Sequence, residues 1–167
     1  MMKCLAIPFA ACALALAAGA EAEVRFERPD CSAYKDAFKP ESKCIRETRR
    51  RWQERNFAAL QETGLMFIYM ARPDVETSPA AREAIENKVE GSFAIRFSVA
   101  TDGTVYNVRQ EEVTDGIAPL AGLWADTIAK WTFTRIDKPV TDVEYRRIYL
   151  YSSEDVAQTP RESQGTH

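Results

Sequence analysis

From Ser92 to Val99 the side chains alternate without a break: Phe93, Ile95, Phe97 and Val99 are apolar, while Ser92, Ala94, Arg96 and Ser98 are small or polar. Successive residues of a β-strand point to opposite faces, so this segment is a strand with one buried and one wet face, the pattern of an antiparallel sheet. Asp102-Gly103 comes next. Glycine tolerates the positive φ that a tight hairpin needs, so the chain should reverse here and return from Thr104 to Val113. The weaker alternation of that return predicts a bulge.

Helical spacing takes over from Ile117 to Trp131. Leu120, Trp124, Ile128 and Trp131 recur on one stripe, flanked by Leu123 and Thr127. Pro119 is compatible with a helix only in its first turn, so the helix must begin close to it. Both tryptophans fall on the inward stripe, which makes them core residues rather than a ligand platform. Asp142 to Ser152 reads as a further strand, setting Val143, Tyr145, Tyr149 and Tyr151 against Arg146, Ile148 and Leu150. Residues 153–167 are polar, carry Pro160 and Gly165, and read as a frayed tail.

Upstream of the alternating strand, Ser78 suits an N-cap and Pro79 the N1 position of a short helix over Ala80 to Asn87. Leu65 to Ala71 is an apolar run bounded by Gly64 and Arg72-Pro73; its length favours a buried strand over a helix. A longer helix is expected from about Ile45 to Glu62, closed by Gly64 at C′. It would turn Ile45, Trp52, Ala59 and Leu60 inward and leave Arg46, Arg49, Arg50 and Arg55 mostly outward. Glu47, Glu54 and Glu62 are interleaved with those arginines, so a solvated face is favoured over a lipid-binding one.

The N-terminus has a different character. Lys3 precedes an apolar run from Cys4 to Ala20, and Ala20-Glu21-Ala22 or Ala18-Gly19-Ala20 matches a small-residue cleavage site. This is the layout of a secretory signal peptide over residues 1–22. The alternative is an uncleaved inner-membrane anchor; the run falls short of the roughly 20 residues a spanning helix needs, and Pro8 interrupts it. Export to an oxidising compartment would leave Cys31 and Cys44 as the cysteines of the mature chain, and two such cysteines most simply form a disulfide. A crosslink closing a loop of this size stabilises a fold by about 3 kcal/mol in the chain-entropy picture.

With 167 residues, 46% hydrophobic and 28% charged, the chain suits one globular domain with appendages, and a net charge of -3 gives no general pull toward nucleic acid. The sole histidine is His167. Without a base a catalytic thiol is unsupported, and without further ligands so is a zinc site. No nucleophile elbow or glycine-rich phosphate loop occurs, and Asp102 and Asp115 lie in turns that account for them. The expectation is a protein that is not an enzyme and that holds no cofactor or metal.

The order of these pieces resembles a known family. Glu90-Gly91-Ser92-Phe93-Ala94-Ile95-Arg96-Phe97-Ser98-Val99, then Asp102-Gly103-Thr104-Val105 and Asn107-Val108, is similar to the signature of the TonB C-terminal domain of the energy transducer TonB family. Lys130-Trp131-Thr132-Phe133 resembles that family's helix-terminal Trp-x-aromatic, and Val143 to Tyr151 its last strand. The resemblance implies an α+β fold: a small three-stranded antiparallel sheet (β-β-α-β) packed against helices. The domain would span residues 78–152, with a disulfide-containing helical extension over 23–77. It also implies a stand-alone periplasmic relative, since no long proline-rich spacer is present.

By the same resemblance the function is protein binding in the cell envelope. An extended segment of a partner, such as a TonB-dependent outer-membrane receptor, would add to a free sheet edge. The implied binding strand is Val143, Tyr145, Arg146, Arg147, Ile148, Tyr149 and Leu150. The alternatives are a structural or accessory subunit of an envelope assembly, with Arg146 and Arg147 guarding the edge against aggregation, and a homodimer through that edge. Whether the N-terminal extension covers the edge is left open by the sequence.

Overall fold

The alternating segment becomes the middle strand of the sheet. A computed structural model describes residues 25–153, and in it β2 (Gly91–Val99) lies between β3 (Val105–Glu111) and β5 (Val140–Tyr149), antiparallel to both. The other elements are α1 (Pro40–Glu62), β1 (Phe67–Tyr69), α2 (Pro79–Glu86), α3 (Ala118–Ile128) and β4 (Thr132–Phe133). β1 and β4 form a separate two-stranded antiparallel ribbon. The fold class is α+β. The expected signal peptide at 1–22 and the tail beyond Ser153 lie outside the described residues.

Phe93, Ile95, Phe97 and Val99 are almost completely buried, as their alternation requires. They pack in one core with Leu120, Ala121, Trp124 and Ile128 of α3, and Leu60, Leu65 and Ala71 of the N-terminal extension join the same core. Burying each large apolar side chain contributes roughly 1.5–3 kcal/mol, so the extension is part of the fold's main source of stability. Trp131 sits edge-on to both Phe67 and Phe97, with ring centroids 5.2 and 6.1 Å away. Its indole N–H, which burial would otherwise leave unpaired, donates to the Ala71 carbonyl at 2.9 Å.

The hairpin follows the turn chemistry. Asp102 accepts hydrogen bonds from the amide and hydroxyl of Thr104 at 3.0 and 2.7 Å, and Gly103 has φ +89°. The predicted bulge lies in the β2–β3 pairing, between Arg96 and Ser98, where Asn107 adopts φ 52°. β5 carries a second bulge opposite Phe97–Val99, with Asp142 at φ 56°.

Several boundaries differ from the sequence reading. α1 starts at Pro40 rather than Ile45, because Pro40 takes the N1 position after Lys39, whose φ is 52°. Cys44 therefore lies in the first turns of α1, where it is disulfide-bonded to Cys31. α3 ends at Ile128, and Thr132–Phe133 leaves it to pair with β1. The strand expected from Asp142 begins at Val140 and ends at Tyr149.

The run Leu65–Ala71 is the larger departure, since it is not a buried strand. Only Leu65, Ala71 and, partly, Phe67 turn inward, while Met66, Ile68, Tyr69 and Met70 are 48–71% exposed. The ribbon lies at the periphery, where a short strand can present only one of its faces to the Trp131 cluster.

Gly103 couples the hairpin to the ribbon. Its carbonyl accepts from the Phe133 amide at 2.9 Å, and an added Cβ would stand 1.9 Å from the Phe133 carbonyl oxygen. Gly103→Ala should therefore destabilise the protein by well over about 1 kcal/mol, since the φ as well as the space excludes a side chain. Urea unfolding of the two proteins measures this, and an unchanged midpoint would contradict the geometry.

Candidate functional site

β5 is an edge strand of the three-stranded sheet, and its register with β2 determines which backbone groups face outward. Ser92 pairs with Ile148, Ala94 with Arg146 and Arg96 with Glu144. The Arg146 N–H and C=O both bond away from β2. Antiparallel pairs alternate strictly, so the outward groups are those of Glu144, Arg146 and Ile148, while Tyr145, Arg147 and Tyr149 exchange hydrogen bonds with β2.

Helix α1 lies along this edge. The Asn56 amide donates to the Arg146 carbonyl at 2.7 Å and accepts from the Arg146 N–H at 2.9 Å. One side chain thus reproduces both bonds that a neighbouring strand would make at that residue. Arg49 donates to the carbonyl of Leu150, just beyond the strand. The apolar support is small: Ile45 packs on Ile148 and Leu150, with Trp52 and Phe26 at the margin. Two clefts lie on this edge between α1 and β5, both touching Asn56 and Arg146. One, of about 260 Å³, is lined by Arg49, Trp52, Gln53, Arg147 and Ile148 among others. The other, of about 340 Å³, is lined by Trp52, Arg55, Ala59 and Glu144.

The residues implied for the binding strand divide by face. Val143, Tyr145 and Tyr149 turn toward α3 and the main core. Tyr145 lies 5.3 Å from the Trp124 ring, and the Trp124 N–H donates to the Tyr149 hydroxyl at 2.8 Å. Burial pushes the Tyr145 phenol above its ordinary value, partly offset by the Arg147 guanidinium. Arg147 lies over the Trp124 ring at 4.9 Å. Ile148 and Leu150 turn to the opposite side and are buried against α1.

Arg146 joins an ion-pair lattice on the outer face of the sheet. It bonds Glu112 at 2.5 and 3.0 Å and Glu144 at 2.5 Å. Arg96 links Glu144 to Glu111, and Arg109 links Glu111 to Asp142. Hydrogen bonds from Arg146 hold the Glu112 carboxyl below its ordinary value, and those from Arg109 do the same for Glu111 and Asp142. These pairs are half exposed, so solvent screens each one and each contributes little by itself. Together three arginines and four carboxylates interlock across the polar face.

Asn56 was not singled out by the sequence reading. Its signal was available: a polar residue four positions from both Trp52 and Leu60, in the middle of the inward stripe of α1. Asparagine is a poor helix former, and a buried one needs hydrogen-bond partners. No group of His, Cys, Asp and Glu among the described residues could hold a metal ion. No helix among them is long and apolar enough to cross a membrane.

No protein-family model matches the chain, and no curated protein matches it. Among solved structures, the chain is similar to the solution NMR structure of the Pseudomonas aeruginosa TonB CTD. That similarity has a TM-score of 0.37 at 17% identity and covers 54% of this chain and 87% of the other.

Two outcomes follow from this geometry. Asn56→Ala should speed hydrogen exchange of the Arg146 amide and lower stability by about 1–3 kcal/mol, the cost of unpairing buried polar groups; an Arg146 amide that stayed equally protected would refute the cap. The depressed carboxyls of Glu111, Glu112 and Asp142 stabilise the fold above their ordinary pKa values, and that contribution is lost as pH falls through the lower folded values. Urea midpoints should therefore be flat from about pH 8 to 5 and drop below about pH 4, with a smaller drop in Glu112→Gln.

Proposed function

We propose that the protein is a protein-interaction module of the cell envelope that takes up an extended segment of a protein partner along the outer edge of β5, without catalysing a reaction. The supporting observation is the pairing of Asn56 with Arg146. It is a side-chain stand-in for a fourth strand, confined to one residue of a ten-residue strand and bordered by open clefts. A partner strand supplies the same donor and acceptor at every second residue, so it can displace a stand-in that supplies them once. The signal-like N-terminus and the Cys31–Cys44 disulfide support placement in the periplasm, with residues 1–22 as the leader, 23–77 as the extension and 78–152 as the binding domain. A TonB-dependent outer-membrane receptor is the partner this reading tests first.

The second reading is a structural or accessory subunit in which α1 caps the edge permanently. It is favoured by Leu60, which ties the end of α1 into the main core. The two separate in an in-cell crosslinking pull-down of the mature protein. Ile148→Pro removes an outward N–H and leaves the β2–β5 hydrogen bonds in place, so strand addition predicts loss of a receptor crosslink in a variant that still unfolds cooperatively. Asn56→Ala should raise the same crosslink severalfold. If both variants recover the receptor as the parent does, the edge is not the capture surface. Recovery of a second copy alone, lost in Ile148→Pro, would make the edge a dimer interface.

A further inference from the structure

We propose that the segment taken up at this edge is acidic, with carboxylates at two adjacent positions; this rests on the reading of the β5 edge as the capture surface. Arginines elsewhere on this sheet are matched: Arg96, Arg109 and Arg146 each bond two carboxylates. Arg49 and Arg147 differ, since neither forms an ion pair among the described residues. Both line the 260 Å³ cleft beside Ile148, and no aspartate or glutamate lines it. The nearby Glu90 carboxylate is already engaged by Arg28 and by the Tyr151 amide. Among the described residues, two guanidinium groups thus stand without a carboxylate partner at one point of the sheet edge.

Their placement matches an added strand. Arg147 shares the face of Tyr145 and Tyr149 and is held there over the Trp124 ring at 4.9 Å. Arg49 approaches from α1, on the side of Ile148 and Leu150. The outward N–H and C=O of Ile148 lie between them. Successive side chains of a strand paired at Ile148 would point to opposite faces, one toward each arginine. A guanidinium binds a carboxylate through a planar pair of charge-assisted hydrogen bonds. The cleft is below the roughly 300–1,000 Å³ typical of small-molecule sites, so it suits one or two side chains of a peptide. Segment entry at Ile148 would precede displacement of Asn56 at Arg146, making the cleft the point where pairing starts.

The test uses the mature, disulfide-bonded protein and three synthetic peptides of about ten residues in a Thr/Val background, carrying Glu-Glu, Gln-Gln or Lys-Lys at the centre. Affinity is read by calorimetry and by the change in tryptophan fluorescence, since Trp52 lines the cleft and Trp124 lies under Arg147. The Glu-Glu peptide should bind at least about tenfold tighter than the Gln-Gln peptide, the scale of one charged hydrogen-bond pair. The preference should shrink at high salt and in Arg49→Gln or Arg147→Gln, and be only partly retained in Arg147→Lys, which keeps the charge but not the planar pair of donors. Equal binding of Glu-Glu and Gln-Gln peptides, or no binding of the former, overturns the proposal. If the two bind equally and Ile148→Pro abolishes both, strand capture stands and acid selection fails. If Glu-Glu selectivity persists in Ile148→Pro, the arginines recognise acid without strand pairing and the edge reading fails. Arginine-dependent binding to phosphatidylglycerol vesicles without peptide binding would assign the cleft to lipid phosphate and overturn the proposal.

Discussion

Two hydrogen bonds between the Asn56 side chain and the backbone of Arg146 decide what the outer edge of β5 presents to solvent. An edge strand carries a row of unpaired N–H and C=O groups, and proteins must either cover that row or use it. Here it is covered by a side chain instead of a strand. An amide can serve one residue, so the groups on either side of Arg146 depend on the packing of α1 and on Arg49. That packing is thin, consisting of Ile45 against Ile148 and Leu150 at one end of α1 and Leu60 in the main core at the other. The cap is therefore specific in its hydrogen bonds and rests on few apolar side chains.

The rest of the sheet is made inert by different means. Its inner face is sealed by α3, with Trp131 and its neighbouring rings sealing the end toward the β1–β4 ribbon. Its outer face carries an ion-pair lattice in which Arg96, Arg109 and Arg146 each meet two carboxylates. The outer edge of β3 is bulged, with Asn107 at positive φ, and carries Arg109 and Glu111. Charges and bulges of this kind discourage a further strand from pairing. Against that background, Arg49 and Arg147 beside β5 stand apart: among the described residues neither meets a carboxylate, and both belong to the edge that a side chain covers.

Legibility followed the range of the interactions involved. The strands β2 and β3, the turn at Asp102-Gly103, the caps Ser78 and Gly64, and the helix containing Trp124 were all readable, since each is written in the spacing of neighbouring residues. Reading failed at Leu65–Ala71, where composition matched a buried strand and the chain instead runs along the periphery. It also failed at the start of α1, expected near Ile45 although Pro40 suits the N1 position that opens the helix. The candidate site was half visible. The strand from Val143 to Leu150 and its arginines could be named, but Asn56, ninety residues away along the chain, could not be joined to Arg146.

By itself, the sequence determined the local vocabulary: an alternating central strand, a glycine turn, amphipathic helices, and Cys31 and Cys44 as a pair able to crosslink. Periodicity and turn propensity are short-range, so no further information was needed for them. Only the tertiary structure decided which edge α1 would cover, and that Asn56 and Arg49 rather than an apolar side chain would meet the backbone there. It also decided which arginines would find carboxylates and which would not. These outcomes depend on docking angles and on side chains distant in sequence, where the energy difference between alternatives lies in a few hydrogen bonds and a small buried area, and no local pattern records it.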